Sequence, residues 1–125
     1  MTMIDDLDRH RYVSLATFRR SGAEVATPVW FAAADGRLYV FTGVESGKVK
    51  RLRNSPRARV APSDSRGRVL GPSQDASARI LTEPASIAKA HAALRSKYGW
   101  QMLVADVGSR LTGRIYKRAW IEIQL

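Results

Sequence analysis

The stretch Gly43-Val44-Glu45-Ser46-Gly47-Lys48 stands between a strand-like run, residues 37–42, and a segment crowded with Lys and Arg. A glycine turn leading from a strand into a helix, with a lysine in the first turn, is an arrangement that can cradle phosphate. Free backbone N–H groups and the positive end of the helix dipole point at one spot. Ser46 adds a hydroxyl there and Lys48 a full charge. The spacing excludes a nucleoside-triphosphate hydrolase, whose loop needs Gly, four residues, then Gly-Lys-Ser/Thr. Only Val44, Glu45 and Ser46 separate Gly43 from Gly47, Val49 stands where a magnesium-binding hydroxyl belongs, and Glu45 is the wrong charge. The same residues also suit a plain capped helix with a snorkelling lysine.

A second constellation is Thr27-Pro28-Val29-Trp30. Pro28 cannot donate to a sheet ladder, so this point belongs to an edge, a bulge or a gap that faces a ligand. Thr27 offers a hydroxyl, and the backbone of Val29 and Trp30 is then free for the edge of a planar molecule. The plain alternative is that Trp30 and Phe31 are core. With no cysteine and two histidines, His10 and His91, neither a thiolate nor a multi-histidine metal site is available. No nucleophile–base pair or carboxylate dyad assembles. His91 falls on an apolar helical stripe, which points to packing. Any difficult chemistry is therefore a cofactor's.

Twenty-one Lys and Arg against eleven Asp and Glu give +10. Between Lys48 and Arg68 eight basic residues meet one acid, Asp64, and a second basic cluster holds Arg110, Arg114, Lys117 and Arg118. Such a field attracts a polyanion, whether nucleic acid, acidic lipid or a phosphate- and carboxylate-rich ligand. The acidic first residues lack the apolar segment of a signal peptide, and no run approaches the roughly 20 apolar residues of a membrane span. The expectation is a soluble cytoplasmic protein with no membrane partner.

The elements that must position these groups read as follows. A short helix is expected over residues 4–9. Strands are expected over 11–18, 25–34, 37–42, 57–63, 76–82 and 114–125, the last with Ile115, Ala119, Ile121, Ile123 and Leu125 on one face. Ser21-Gly22 and Asp35-Gly36 mark hairpins. Ser46 caps a helix that Asn54-Ser55-Pro56 ends, with Val49 and Leu52 inward and Lys50, Arg51 and Arg53 outward. Pro84 opens a helix carrying Ile87, His91, Leu94 and Tyr98, and Gly99 closes it. Trp100, Leu103, Val104, Val107 and Leu111 continue with a helical period. The predicted architecture is mainly β: one domain, residues 1–125, forming an antiparallel barrel of about six strands with flanking helices.

In order, "YVSLATFR", "VATPVWF", "DGRLYVFTG" and "SGKVKRLRNSPRARVAP" resemble the split β-barrel proteins related to pyridoxamine 5′-phosphate oxidase. Within them the chain is most similar to the branch that uses the deazaflavin coenzyme F420. The resemblance is strong over residues 11–63 and extends in order to the end. It implies that Ser46 and Lys48, flanking Gly47, hold a cofactor phosphate. It places the ring against Thr27, Pro28, Val29 and Trp30, with Phe41 and Thr42 close by and Ala61, Pro62 and Ser63 as weaker correspondences. It implies a homodimer with cofactor sites at the interface and a small-molecule acceptor. Deazaflavin carries a phosphodiester and an oligoglutamate tail, whose route Lys50, Arg51, Arg53 and Arg57 would line. Thr27 stands where pyridoxamine phosphate oxidases carry an Arg, and no histidine follows His91. Pyridoxamine phosphate is thus a poor substrate candidate, and FMN lacks a second cation for its dianion.

The expected function is an F420-dependent oxidoreductase passing a hydride between the deazaflavin and a small unsaturated acceptor. FMN in the same fold is the alternative. From other classes come a basic nucleic-acid-binding module, disfavoured because the basic runs lack interleaved aromatics for stacking, and a non-enzymatic cofactor carrier.

Overall fold

The computed structural model describes residues 3–113 and 117–125. Six strands, β1 (Tyr12–Phe18), β2 (Glu24–Ala34), β3 (Arg37–Gly43), β4 (Arg57–Ser63), β5 (Gln74–Ile80) and β6 (Arg118–Gln124), are joined by four helices. These are α1 (Met3–Asp8), α2 (Gly47–Asn54), α3 (Pro84–Tyr98) and α4 (Trp100–Thr112). The strands close a barrel in the order β1-β2-β3-β6-β5-β4, every neighbour antiparallel. The mainly-β class and the six-stranded barrel expected from the sequence are both present. Asp35 and Gly36 take φ of 52° and 76°, the left-handed pair that a two-residue hairpin demands.

Alternation along the strands sorts the side chains into two cores. Val13, Leu15, Phe31, Val40, Ile121 and Ile123 point into the barrel, where Leu7 of α1 and Leu52 of α2 join them. The outer face presents Ala32, Tyr39 and Trp120, covered by Leu94 and Tyr98 of α3 and Met102 of α4. β6 is therefore buried on both faces, which is why Ile121 and Trp120 sit side by side at 0% and 6% exposure.

β2 changes partners along its length. Residues 24–30 pair with β1, and residues 31–34 pair with β3. Beyond Val40, β3 pairs only with β6, through Phe41, Thr42 and Gly43. The barrel is thus split between the first half of β2 and the end of β3, and Pro28 lies on the open edge. Where β1 ends, Tyr98 continues its ladder. Its hydroxyl accepts from the Phe31 N–H at 3.0 Å and lies 2.9 Å from the Phe31 carbonyl and 2.5 Å from that of Arg11. Burial pushes the phenol up to about 12, so it stays a neutral donor.

Three expectations need adjustment. β5 runs two residues earlier than 76–82. The Arg59–Asp75 contact at 3.1 Å extends its pairing with β4, while the Leu81 N–H leaves the strand to reach the Trp120 carbonyl at 2.8 Å. β6 begins at Arg118, and Ile115 lies outside the described residues. Of the second basic cluster, Arg114 lies outside the described residues and Arg118 is not free for an anion. Arg118 is spent on Asp106, a carboxylate 2% exposed that accepts from Arg118 Nη1 at 2.8 Å and Arg95 Nε at 3.0 Å and meets His91 Nε2 at 2.9 Å. His91 is a packing residue as expected, its ring 5.0 Å from Trp120, but it is also a polar strut. Among the described residues no helix is long and apolar enough to cross a membrane.

Asp106 ties α3, α4 and β6 together. Burial alone would raise its pKa, but hydrogen bonds from Arg118, His91 and Arg95 outweigh burial and lower it below the usual 3.8. A depressed folded value means stability that is complete above about 3.8 and lost as pH falls through the folded pKa. Asp106→Ala is expected to lower unfolding free energy by about 3 kcal/mol in urea titrations at neutral pH, because it strands a buried cation. The wild-type advantage over the variant should shrink below pH 4. Tyr98→Phe keeps the ring stacked on Trp30 but leaves the Phe31 N–H without its partner, for an expected loss of about 1–3 kcal/mol by the same measurement.

Candidate functional site

The site is built on α2. Ser46 is extended (φ −65°, ψ 155°) and its hydroxyl accepts from the Val49 N–H at 3.4 Å, the N-cap that the sequence predicts. Val49 and Leu52 are buried at 0% and 8%, which fixes how the helix rolls onto the barrel. That roll turns Lys48 and Arg51 toward the split. Lys48 Nζ donates to Thr27 Oγ1 of β2 at 3.0 Å, and Arg51 Nε donates to Thr17 Oγ1 of β1 at 2.6 Å. Both threonines share the inward face of their strands, Thr17 with Val13 and Leu15, and Thr27 opposite Leu15.

Arg51 overturns an expectation. The helical count that places it outward with Lys50 and Arg53 neglects side-chain length. Gly47, one turn earlier, carries no side chain, and the guanidinium folds into the space that leaves. A Cβ at 47 would sit 2.7 Å from Arg51 Nη1. Lys50 and Arg53 do remain exposed.

Neither inward cation meets a carboxylate among the described residues; their partners are hydroxyls. Burial lowers the Lys48 pKa, and the nearby Arg51 charge lowers it further. Burial likewise lowers that of Arg51, with Arg19 adding repulsion. Two part-buried cations that repel each other are thus held by neutral hydroxyl acceptors beside a helix N-terminus, a place where negative charge is electrostatically favoured. Arg20, on the same turn as Arg19, reaches Asn54 of α2 at 3.2 Å, so the positive surface continues outward.

The structure thus brings together Thr27, Ser46, Gly47, Lys48 and Arg51. Other sequence-predicted residues stand further off. Val29 points into the barrel core at 9% exposure. Trp30 faces outward and stacks on Tyr98, ring centroids 4.6 Å apart and 12° from parallel. Pro28 approaches the loop after β4, where a Cβ on Gly67 would lie 3.4 Å from its ring. Ala61 and Pro62 are buried on β4, separated from β2 by β1 through the registers Ser14↔Ala61 and Ser14↔Pro28. Phe41 and Thr42 line a neighbouring cleft of about 330 Å³ with Gly43, Ser109, Lys117 and Arg118. There the Arg118 guanidinium sits 4.4 Å above the Phe41 ring, held by Asp106 and by Ser109 Oγ at 2.8 Å.

Thr17 is the site residue that the sequence reading missed. The available signal was a hydroxyl in step with Val13 and Leu15 on an otherwise apolar strand face. Arg118 was legible only as one of a basic cluster, because its partner Asp106 becomes its neighbour only on folding. Among the described residues no cluster of His, Cys, Asp and Glu is placed to hold a metal ion.

Comparison with known proteins places this geometry. Among solved structures, a conserved hypothetical protein of Mycobacterium tuberculosis, Rv2991, superposes with a TM-score of 0.70 at 21% identity, over 98% of this chain and 79% of that one. HutZ, the heme storage protein of Vibrio cholerae, gives 0.70 at 15% identity, over 97% and 86%. An FAD-binding protein of Mesorhizobium loti gives 0.64 at 16%, over 100% and 88%. At these identities the likeness is one of fold. No curated protein matches the sequence. The family model described as pyridoxamine 5′-phosphate oxidase matches residues 3–124. Nearly the whole chain, with its closed six-stranded barrel, therefore belongs to the pyridoxamine 5′-phosphate oxidase family.

Proposed function

We propose that this chain is an oxidoreductase that binds the deazaflavin coenzyme F420 and serves hydride transfer to a small unsaturated acceptor. The observation that carries the reading is the Lys48–Arg51 pair, two inward cations with hydroxyl partners and, among the described residues, no carboxylate. The donor set fits a phosphate. Ser46 and the first N–H groups of α2 would receive its oxygens, with Lys48 and Arg51 supplying charge. When bound, the cofactor supplies the hydride. The protein's share is orientation along the open edge of β2, where residues 24–30 pair on one side only, and exclusion of water. The exposed cations Arg19, Arg20, Lys50 and Arg53 suit an anion that extends past the phosphate, which favours the deazaflavin with its carboxylate tail.

FMN is the second reading, and Arg51 favours it. With Arg51 turned inward the cradle has the second cation that a phosphomonoester dianion wants, despite Thr27 in place of an arginine. The FAD-binding structural neighbour supports a flavin in this fold.

Titration of the purified chain with each cofactor tests the reading. F420 is expected to bind at least about tenfold tighter than FMN at low salt, about 1.4 kcal/mol. The margin should narrow as salt screens the outer cations. Equal affinities, or an FMN preference at low salt, would reassign the cofactor. Lys48→Ala is expected to weaken either cofactor by about 1.5–3 kcal/mol, the range of a charge-assisted hydrogen bond. Gly47→Ala separates cradle from scaffold. Its methyl displaces the Arg51 guanidinium, so calorimetry should record weaker binding, while the melting temperature holds or rises because alanine outranks glycine in a helix by up to about 1 kcal/mol. Unchanged binding in both variants would remove the cradle from the phosphate.

A further inference from the structure

The inward side of α4 is committed to the fold, with Met102 and Asp106 at 0% and 2% exposure. Its outward side carries Trp100, Val104, Val107 and Leu111 at spacings of four, three and four residues, which makes one apolar seam along the helix. These residues are 71%, 60%, 50% and 84% exposed, and Leu103 beside them is 58% exposed. Together they present about 600 Å² of apolar surface, at the upper end of what a monomer exposes in one patch. A patch of that kind on a well-packed fold marks a docking surface for protein or lipid.

The charge around the seam selects what docks there. Between Pro84 and Trp120 the sequence holds seven Lys and Arg and one acid, Asp106, which is buried. Arg110 stands beside Leu103 and Val107 on one flank of the helix. Arg11 reaches Gln101 on the other flank, and Lys117 shares a cleft with Ser109 near the C-terminal end. Arg95 meets Asp106 yet keeps 48% of its side chain exposed. The seam is thus an uncharged strip framed by exposed cations, and neither α3 nor α4 sets an exposed acid beside it. A second copy laid on this face would bring the same cations against each other. Nucleic acid would compensate the cations but would meet apolar side chains, not donors, at the centre. An anionic bilayer satisfies both features: its headgroups face the cations and its acyl boundary accepts the seam. Trp100 suits that boundary, with an apolar ring and an N–H that can reach headgroups or water. The expectation of no membrane partner rested on span length, and a helix that lies in a surface needs no span. Such a helix ordinarily carries its own cations on its polar side. Here that side is packed on the barrel, and the neighbouring elements supply the charge. We propose that the chain docks peripherally on anionic lipid surfaces through α4. The Trp100–Leu111 seam enters the boundary between headgroups and acyl chains, and Arg11, Arg95, Arg110 and Lys117 face lipid phosphates.

Co-sedimentation of the full chain with lipid vesicles tests the proposal. Phosphatidylcholine–phosphatidylglycerol vesicles are expected to bind the chain at least about tenfold more tightly than phosphatidylcholine alone, and the margin should close as salt rises. Val104→Glu with Val107→Glu should weaken binding to the anionic vesicles at least about 100-fold, because charge is expelled from the boundary. Both positions are exposed, so the circular dichroism spectrum should not change. Brominated phosphatidylcholine in the same vesicles should quench Trp100 in the wild type, a readout that needs no glutamate variant. Trp100→Phe should remove that quenching, since Trp120 is buried and Trp30 is stacked on Tyr98. Failure to bind anionic vesicles overturns the proposal. So does binding that survives both glutamates, or binding without quenching, since charge alone would then hold the chain. A wild type that ignores vesicles, sediments as a dimer and becomes monomeric with the glutamates assigns the seam to a second copy and overturns lipid docking too. Docking does not depend on the cofactor, so failure of either leaves the other standing.

Discussion

The arrangement depends on β2 changing partners midway. A strand hydrogen-bonded on both sides has no backbone to offer a ligand, and proline is excluded from it. Residues 24–30 pair with β1 alone and residues 31–34 with β3, so the barrel stays closed while one edge opens. Pro28 fits only there. β3 continues past the opening because β6 holds it, and β6 is held in turn by Ile121 inside and Trp120 outside. The opening is thus a permanent feature of well-packed strands rather than a loosened one.

The cations of α2 show how a fold can hold charge part-buried without neutralising it. Turning Lys48 and Arg51 inward costs hydration, and burial lowers the pKa of both. Thr27 and Thr17 return one neutral hydrogen bond each, which positions the cations without neutralising them. A carboxylate in the same place would stabilise the free protein more and compete with any anion. Asp106 is the contrast: three partners converge on it, and one of them, Arg118, is withdrawn from the surface field. Net charge counted along the chain does not distinguish the two situations.

Local grammar was legible in the sequence. Asp35-Gly36 forces a hairpin because it takes left-handed φ at low cost. Ser46 caps because its hydroxyl reaches an orphan N–H. Pro84 starts a helix because its missing N–H is not needed there. Alternation then places Leu15 and Ile121 inside, and the six strands follow. For the site, Ser46 and Lys48 were readable from their place after a strand and before a helix, and Thr27 from the proline that follows it.

What only the tertiary structure decided are the relations across sequence distance. Arg51 turns inward because of an absent side chain at Gly47 and a hydroxyl on Thr17, thirty-four residues away in the chain. Arg118 and His91 are joined by Asp106, and Tyr98 stands in for the next rung of β1. The end of β5 was set by a carbonyl on Trp120. The helical period of α4 was plain in its residues, but not that the fold would leave its seam uncovered. A sequence states each residue's local preference; which long side chain fills which space is settled by close packing, where every occupant depends on its neighbours.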